Sequence, residues 1–250
     1  MAVSIKSARE IELMREAGKR LAHVHQELEA MIAPGISTWE IDAKGEKLIR
    51  DCGCIPNFLH YNGYPASICV SVNDEVVHGI PRKDRYLKEG DIVSLDAGLI
   101  YKGYHSDAAR THAVGKVSTE AQKLMDVTKQ SFFEGIKMAK EGQHLHDISR
   151  AIEEYVTPYG YGIVRDLVGH GIGTALHEDP QIPNFRQRNR GLRIVKGMTF
   201  AIEPMINAGT WQVRFLRDGW TVVTKDGSLS AHYENTILVT DGEPEILTLY

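Results

Sequence analysis

A shift of 107 residues lays this chain on itself. It superposes Gly35 on Gly142, Ile41 on Ile148, Glu46 on Glu153 and Gly53 on Gly160. The same offset carries Gly90 and the segment ending Leu-Asp96 onto Gly197 and the segment ending Ile-Glu203. Single identities between two helical patterns arise by chance. Here one offset aligns helix ends, the glycine before each strand and an acidic residue inside each strand. That points to internal duplication, with halves at about 1–117 and 118–250 within a single domain. The fold expected is α+β, two αα-β-hairpin halves facing each other across a pseudo-twofold axis, with their strand carboxylates converging.

Local signals support that plan. Met14, Ala17, Leu21, Val24, Leu28 and Met31 recur at spacings of three and four, one stripe of an amphipathic helix that Pro34-Gly35 ends. Ser37-Thr38-Trp39-Glu40 is a capping box for a second helix running to about Cys52-Gly53. In the second half Thr119-Glu120 opens a helix that Glu141-Gly142 closes, and another ends near Tyr159-Gly160.

Residues 91–114 read as a hairpin in which Ile-Val-Ser-Leu-Asp96 and Tyr-His-Ser-Asp107 flank Tyr101-Lys102-Gly103. A turn centred near Tyr101-Lys102 sets Asp96 opposite Asp107 on one face, unless Gly103 forms a bulge. Opposed like charges destabilise a sheet. At about 4 Å and an effective dielectric near 20 the repulsion is on the order of 4 kcal/mol. A shared cation reverses that sign, and a shared proton does so in part. Two solvated aspartates are the bland alternative, but Asp96 sits between Leu95 and Ala97 in an apolar strand.

Glu203 and Glu234 repeat the theme, the first stopped by Pro204 and the second leading Asn-Thr-Ile-Leu-Val. Buried carboxylates without partners protonate or weaken the fold. Gly-His170-Gly-Ile-Gly reads as a glycine-rich turn that aims His170 without steric competition. The segment lacks both the helical zinc spacing and a phosphate-cradling Lys-Ser/Thr. Asp96, Asp107, His170, Glu203 and Glu234 together form an oxygen-rich set with one nitrogen, suited to Mn, Fe, Co or Mg-like ions. Five such side chains can hold two ions, which activate water for hydrolysis.

Composition excludes other classes. Lys plus Arg number 29 against 33 Asp plus Glu, a net charge of −4 that gives no nucleic-acid or membrane-surface signal. Cys52, Cys54 and Cys69 are too few for a disulfide framework and are spaced wrongly for structural zinc. No segment approaches the roughly 18 apolar residues of a membrane span, and the N-terminus lacks a signal core. A cytoplasmic protein is expected.

The blocks Gly-Tyr-Pro-Ala-Ser-Ile-Cys-Val-Ser-Val-Asn-Asp-Glu-Val-Val-His78-Gly-Ile-Pro, Leu-Asp96-Ala-Gly, Tyr-His-Ser-Asp107, Gly-His170-Gly-Ile-Gly, His177-Glu, Ile-Glu203-Pro-Met and Tyr-Glu234-Asn-Thr run through the whole chain. In them the chain resembles the short bacterial, type I methionine aminopeptidases. The resemblance implies the pita-bread fold, two pseudo-twofold-related ααββ halves whose curved, mostly antiparallel sheet is covered by helices. It implies a monomer that takes the initiator methionine from nascent polypeptides, at the ribosome, using two divalent ions. By this likeness Asp96 chelates one ion, His170 and Glu203 serve the other, and Asp107 and Glu234 bridge. Glu203 doubles as general base, His177 serves the scissile amide, and His78 lies on the substrate side. Phe58, Tyr61, Tyr64, Cys69, Leu176 and Trp220 line the methionine pocket, with Leu176 where relatives often carry phenylalanine.

Without the resemblance, His78 reads as an ordinary core histidine. Three rivals stand beside this reading: an X-Pro-type aminopeptidase on the same fold, a non-catalytic pita-bread binding protein, and a structural domain with charge-paired acids. The 61–69 block and the absence of an added domain oppose the first. Retention of all five ligand positions opposes the second.

Overall fold

The structure, a computed structural model, describes residues 3–249. Helix α1 (Ala8–Glu29) starts at a capping box. The Glu10 amide donates to Ser7 Oγ and the Ser7 amide donates to Glu10 Oε2. It buries Met14, Ala17, Leu21, Val24 and Leu28, the expected stripe, while Met31 falls beyond its end. Helix α2 (Thr38–Asp51) repeats the box with Ser37 and Glu40. Helix α3 (Thr119–Ile136) is capped by Ser118 and stops short of Glu141. The Met138 and Ala139 amides donate to the carbonyls of Gly135 and Ile136, tightening the chain into three-residue turns that end the α-helical ladder. Helix α4 (Leu145–Val156) passes into a short 3-10 turn ending at Gly160, φ 74°.

Nine strands make one sheet in which every pairing is antiparallel. At its centre Tyr104–Ala113 pairs with Glu234–Leu238. Outward on one side come Ile92–Tyr101 and Ile68–Val72, and on the other Thr199–Ile202 and Gly169–Gly171. The strand order is thus symmetric about the central pair. Connections recur at the offset of 107 as well. The Gly35 amide donates to Leu87 O and the Gly142 amide to Ile194 O, while isolated bridges join Ser37 to Tyr86 and His144 to Arg193.

The first half closes its hairpin through Lys102 and Gly103, both at positive φ (48° and 85°), a two-residue turn suited to strand twist. This corrects the expected register by two residues: Asp96 faces Ala109, and Asp107 faces Gly98. An even slip keeps both carboxylates on one face, so they are diagonal rather than opposed. In the second half the paired strands are not a hairpin. Residues 203–233 run out between them and build two small three-stranded sheets with Gly162–Ile163 and Glu75–Val77.

The helices cover one face. Val93, Leu95, Ala97 and Leu99 pack in one core with α1 and α2 residues such as Leu21 and Ile49, and Phe200, Ile202 and Ile237 pack in another with α3 and α4. Because side chains alternate along a strand, Asp96 and Asp107 lie on the side away from the helices. No helix among the described residues is long and apolar enough to cross a membrane. The three cysteines are free.

Candidate metal centre

Four carboxylates meet on the uncovered face of the sheet. Asp96 and Asp107 come from the hairpin, and Glu234 opens its strand at the point where it pairs with Ala109. Glu203 stands one residue beyond Thr199–Ile202 rather than inside that strand, at the break before Pro204. Asp107, His170 and Glu234 are buried and offer ligand atoms all within 4.8 Å of one another. His170 Nε2 lies 3.9 Å from Asp107 Oδ2 and 3.6 Å from Glu203 Oε1.

Gly169–Gly171 is a short strand and not the expected glycine-rich turn. Its glycines serve close packing: a Cβ on Gly169 would stand 2.5 Å from the Ala201 carbonyl oxygen, and one on Gly171 would overlap that of Asp179. His170 Nδ1 sits 2.9 Å from the Gly171 carbonyl oxygen, so Nδ1 carries the proton and the Nε2 lone pair faces the carboxylates.

The electrostatics call for a cation. Burial raises Asp96 to about 7, and burial followed by the Glu234 and Asp96 charges pushes Asp107 well above the usual carboxylate range. Glu203 and Glu234 rise for the same reason, burial first and their acidic neighbours next. Burial, with His177 alongside, lowers His170 to about 3, keeping it a neutral donor. Asp96 Oδ1, Asp107 Oδ1 and Glu234 Oε1 are buried without a hydrogen-bond partner. Orphaned carboxylate oxygens beside a neutral imidazole are what divalent ions satisfy, so the residues fit the metal their chemistry implies.

These groups open onto a cavity of about 230 Å³ lined also by Phe58, Tyr61, Tyr64, Cys69, His78, Leu176, His177 and Trp220. Every residue singled out in the sequence therefore lines one cavity. Larger cavities of about 420 and 850 Å³ elsewhere contain none of the five. His177 Nδ1 is 2.8 Å from the Tyr61 hydroxyl, and its ring centroid is 4.3 Å from that of His170. Trp220 packs edge-on against Tyr64 and His78 at 5.2 and 6.3 Å. His78 holds φ 58°, and burial followed by His177 lowers it to about 4.

Sequence reasoning missed Asn62 and His232. Asn62 lines the cavity at φ 49° within the Tyr61–Gly63 turn, and its place next to Tyr61 is the only sequence signal. His232 Nε2 lies 3.9 Å from Glu203 Oε2 and 4.0 Å from Glu234 Oε2. Its separation of two residues from Glu234 in strand-like sequence was the available clue.

The model of metallopeptidase family M24 matches residues 12–241. The chain belongs to family M24. Among M24 relatives, a methionine aminopeptidase of Clostridium acetobutylicum is 53% identical over 247 residues, 99% of each chain. The solved methionine aminopeptidase of Thermotoga maritima superposes with a TM-score of 0.97 at 45% identity, covering all of both chains. An Xaa-Pro dipeptidase of Bacillus anthracis shares the fold at TM-score 0.79 and 26% identity, but this chain covers only 61% of it. Metallopeptidases of this family use divalent metal, and Asp107, His170 and Glu234 form a group able to hold an ion.

Proposed function

We propose that this chain removes the N-terminal methionine from nascent proteins whose second residue is small. The observation that carries the reading is a cluster of four buried or half-buried carboxylates beside His170, three of them with an unpartnered oxygen, opening directly onto an aromatic-lined cavity. Full-length similarity to methionine aminopeptidases supports the substrate.

Two divalent ions (Mn, Fe or Co) would be held by Asp96, Asp107, His170, Glu203 and Glu234. Five ligating side chains exceed what one water-keeping ion requires. When bound, such ions activate water and polarise the scissile carbonyl. Glu203 takes the proton of the attacking water, a role suited to a carboxylate whose proton affinity burial has raised. Tyr61 engages His177 Nδ1, leaving Nε2 as the nitrogen that serves the scissile amide. His78, neutral and beside Trp220, contacts the substrate from the opposite wall. Phe58, Tyr61, Tyr64, Cys69, Leu176 and Trp220 enclose the methionine thioether by burial and sulfur–ring contact. The protein works as a cytoplasmic monomer at the ribosome, and its single domain descends from a duplication, a reading to which the hydrogen bonds repeated at 107 residues lend support.

Metal-loaded protein incubated with Met-Ala-Ser, Met-Lys-Ser and Ala-Pro peptides, followed by mass spectrometry, tests this. Methionine leaves Met-Ala-Ser and little leaves Met-Lys-Ser, because a large second residue crowds the site. Cleavage of Ala-Pro alone would overturn the reading in favour of an X-Pro peptidase.

A further inference from the structure

His232 has no role in the reading above, yet it stands against two of the carboxylates. Its position is imposed by the backbone. The His232 amide donates to Thr111 Oγ1 at 2.9 Å, the His232 carbonyl accepts from the same hydroxyl at 2.8 Å, and Met205 faces it across an antiparallel pair. The residue is 2% exposed and neither ring nitrogen has a hydrogen-bond partner.

What surrounds the ring is specific. His232 Nε2 is 3.9 Å from Glu203 Oε2 and 4.0 Å from Glu234 Oε2. His170 Nε2 keeps nearly the same distances, 3.6 Å to Glu203 Oε1 and 3.9 Å to Asp107 Oδ2. Glu203 therefore has an imidazole beside each of its oxygens. His170 spends its Nδ1 proton on a backbone carbonyl and turns a lone pair to the acids. No such partner fixes the ring protons of His232, so its Nε2 is free to carry one toward them.

We infer that His232 is a positioning residue of the metal centre: its Nε2–H faces the outer oxygens of Glu203 and Glu234 at 3.9 and 4.0 Å and orients them electrostatically, so that their other oxygens are aimed at metal. The inference rests on the two-ion reading. Outer hydrogen-bond partners of ligating carboxylates orient them and raise metal affinity by roughly 10- to 100-fold. Glu203 opens the 203–233 excursion and Glu234 follows its end, so His232 ties that excursion to the site.

The test is calorimetric titration of chelator-stripped protein with Mn(II), with the absorption spectrum of the Co(II)-loaded protein as a second readout. Wild type takes up two ions; uptake of fewer overturns the two-ion reading, and this inference with it, before any variant is measured. His232→Leu keeps the packing and removes the donor, and is expected to weaken the lower-affinity site roughly 10- to 100-fold and to alter the Co(II) spectrum. His232→Gln restores a donor and is expected to recover most of that affinity. If two ions bind wild type and His232→Leu with equal affinity, the inference falls while the two-ion reading stands. Equal weakening in both variants, with a matching drop in the melting temperature of the stripped protein, would also overturn it, because that pattern marks packing alone.

Discussion

Replacing Asp107 by asparagine should stabilise the metal-free protein and destabilise the loaded one relative to wild type. Asp107 lies among Asp96, Glu203 and Glu234, and its carboxyl is held well above its ordinary range by burial and then by Glu234. One like-charged pair at about 4 Å, with an effective dielectric near 20, costs on the order of 4 kcal/mol. Sharing of protons relieves part of this, so about 2 kcal/mol is a fair expectation at pH 7.5. For a chain of this size each kcal/mol moves the melting temperature by roughly 2–4 °C, giving a rise of about 4–8 °C in the presence of chelator. Wild type at free metal 100-fold above its dissociation constant gains about 2.7 kcal/mol from binding, which the variant forfeits with the carboxylate proposed as a ligand. Differential scanning calorimetry with EDTA and then with Mn(II) should therefore reverse the order of the two proteins, and peptidase activity should vanish with the metal response. A variant that melts below wild type in EDTA, or gains as much from Mn(II), would refute the reasoning.

Tyr61→Phe removes the hydroxyl on His177 Nδ1. One hydrogen bond of about 0.5–1.5 kcal/mol predicts a loss of roughly 2- to 12-fold in kcat/KM, with metal titration unchanged. Gly171→Ala places a methyl on the Asp179 carbonyl oxygen. Overpacking of about 1–3 kcal/mol should lower thermal stability and metal affinity together, because His170 is its neighbour. His25 is fully buried and held well below its ordinary value by burial first and Arg110 second, with Nε2 on the Ala108 carbonyl oxygen. A histidine lowered in the fold favours unfolding once the unfolded chain can take the proton. Its contribution is therefore intact above pH 6.5 and lost as pH falls below it. Between pH 6.5 and 5.5 wild type should lose about 1 kcal/mol more than His25→Gln in urea titrations.

The helices were legible because their evidence is local. Ser37–Glu40 is a capping box within four residues, and the stripe from Met14 to Leu28 needs only helical spacing. The acid pairs were legible because charge inside apolar strands is rare, and even the misread hairpin register slipped by two residues and kept Asp96 and Asp107 on one face. Lys102 caused that slip: a non-glycine residue at φ 48° is not announced by the sequence. Gly169 and Gly171 look like turn residues, whereas close approach of the Ala201 and Asp179 carbonyls explains them. His232 and Asn62 carried only a weak signal for another reason. Their places depend on how irregular segments return to the sheet, and no periodicity records that.

Symmetry and departure from it divide the work of the site. The central strand pair brings Asp107 near Glu234, the next strand on one side carries Asp96, and Glu203 follows the next strand on the other, so each side of the sheet supplies two acids. Yet Glu234 follows Asp107 by 127 residues, whereas Glu203 follows Asp96 by 107. The second half holds its extra length between its paired strands, and that excursion carries Trp220 to the cavity and His232 to the carboxylates. The third strands outward differ as well. Ile68–Val72 places Cys69 across from Asp96, while Gly169–Gly171 contributes His170. A strictly symmetric pair of halves would give two equivalent ion positions and no way to tell amine from amide in a substrate. Nitrogen on one side and an aromatic, thiol-lined wall on the other give the centre a direction, and hydrolysis of one end of a peptide requires one.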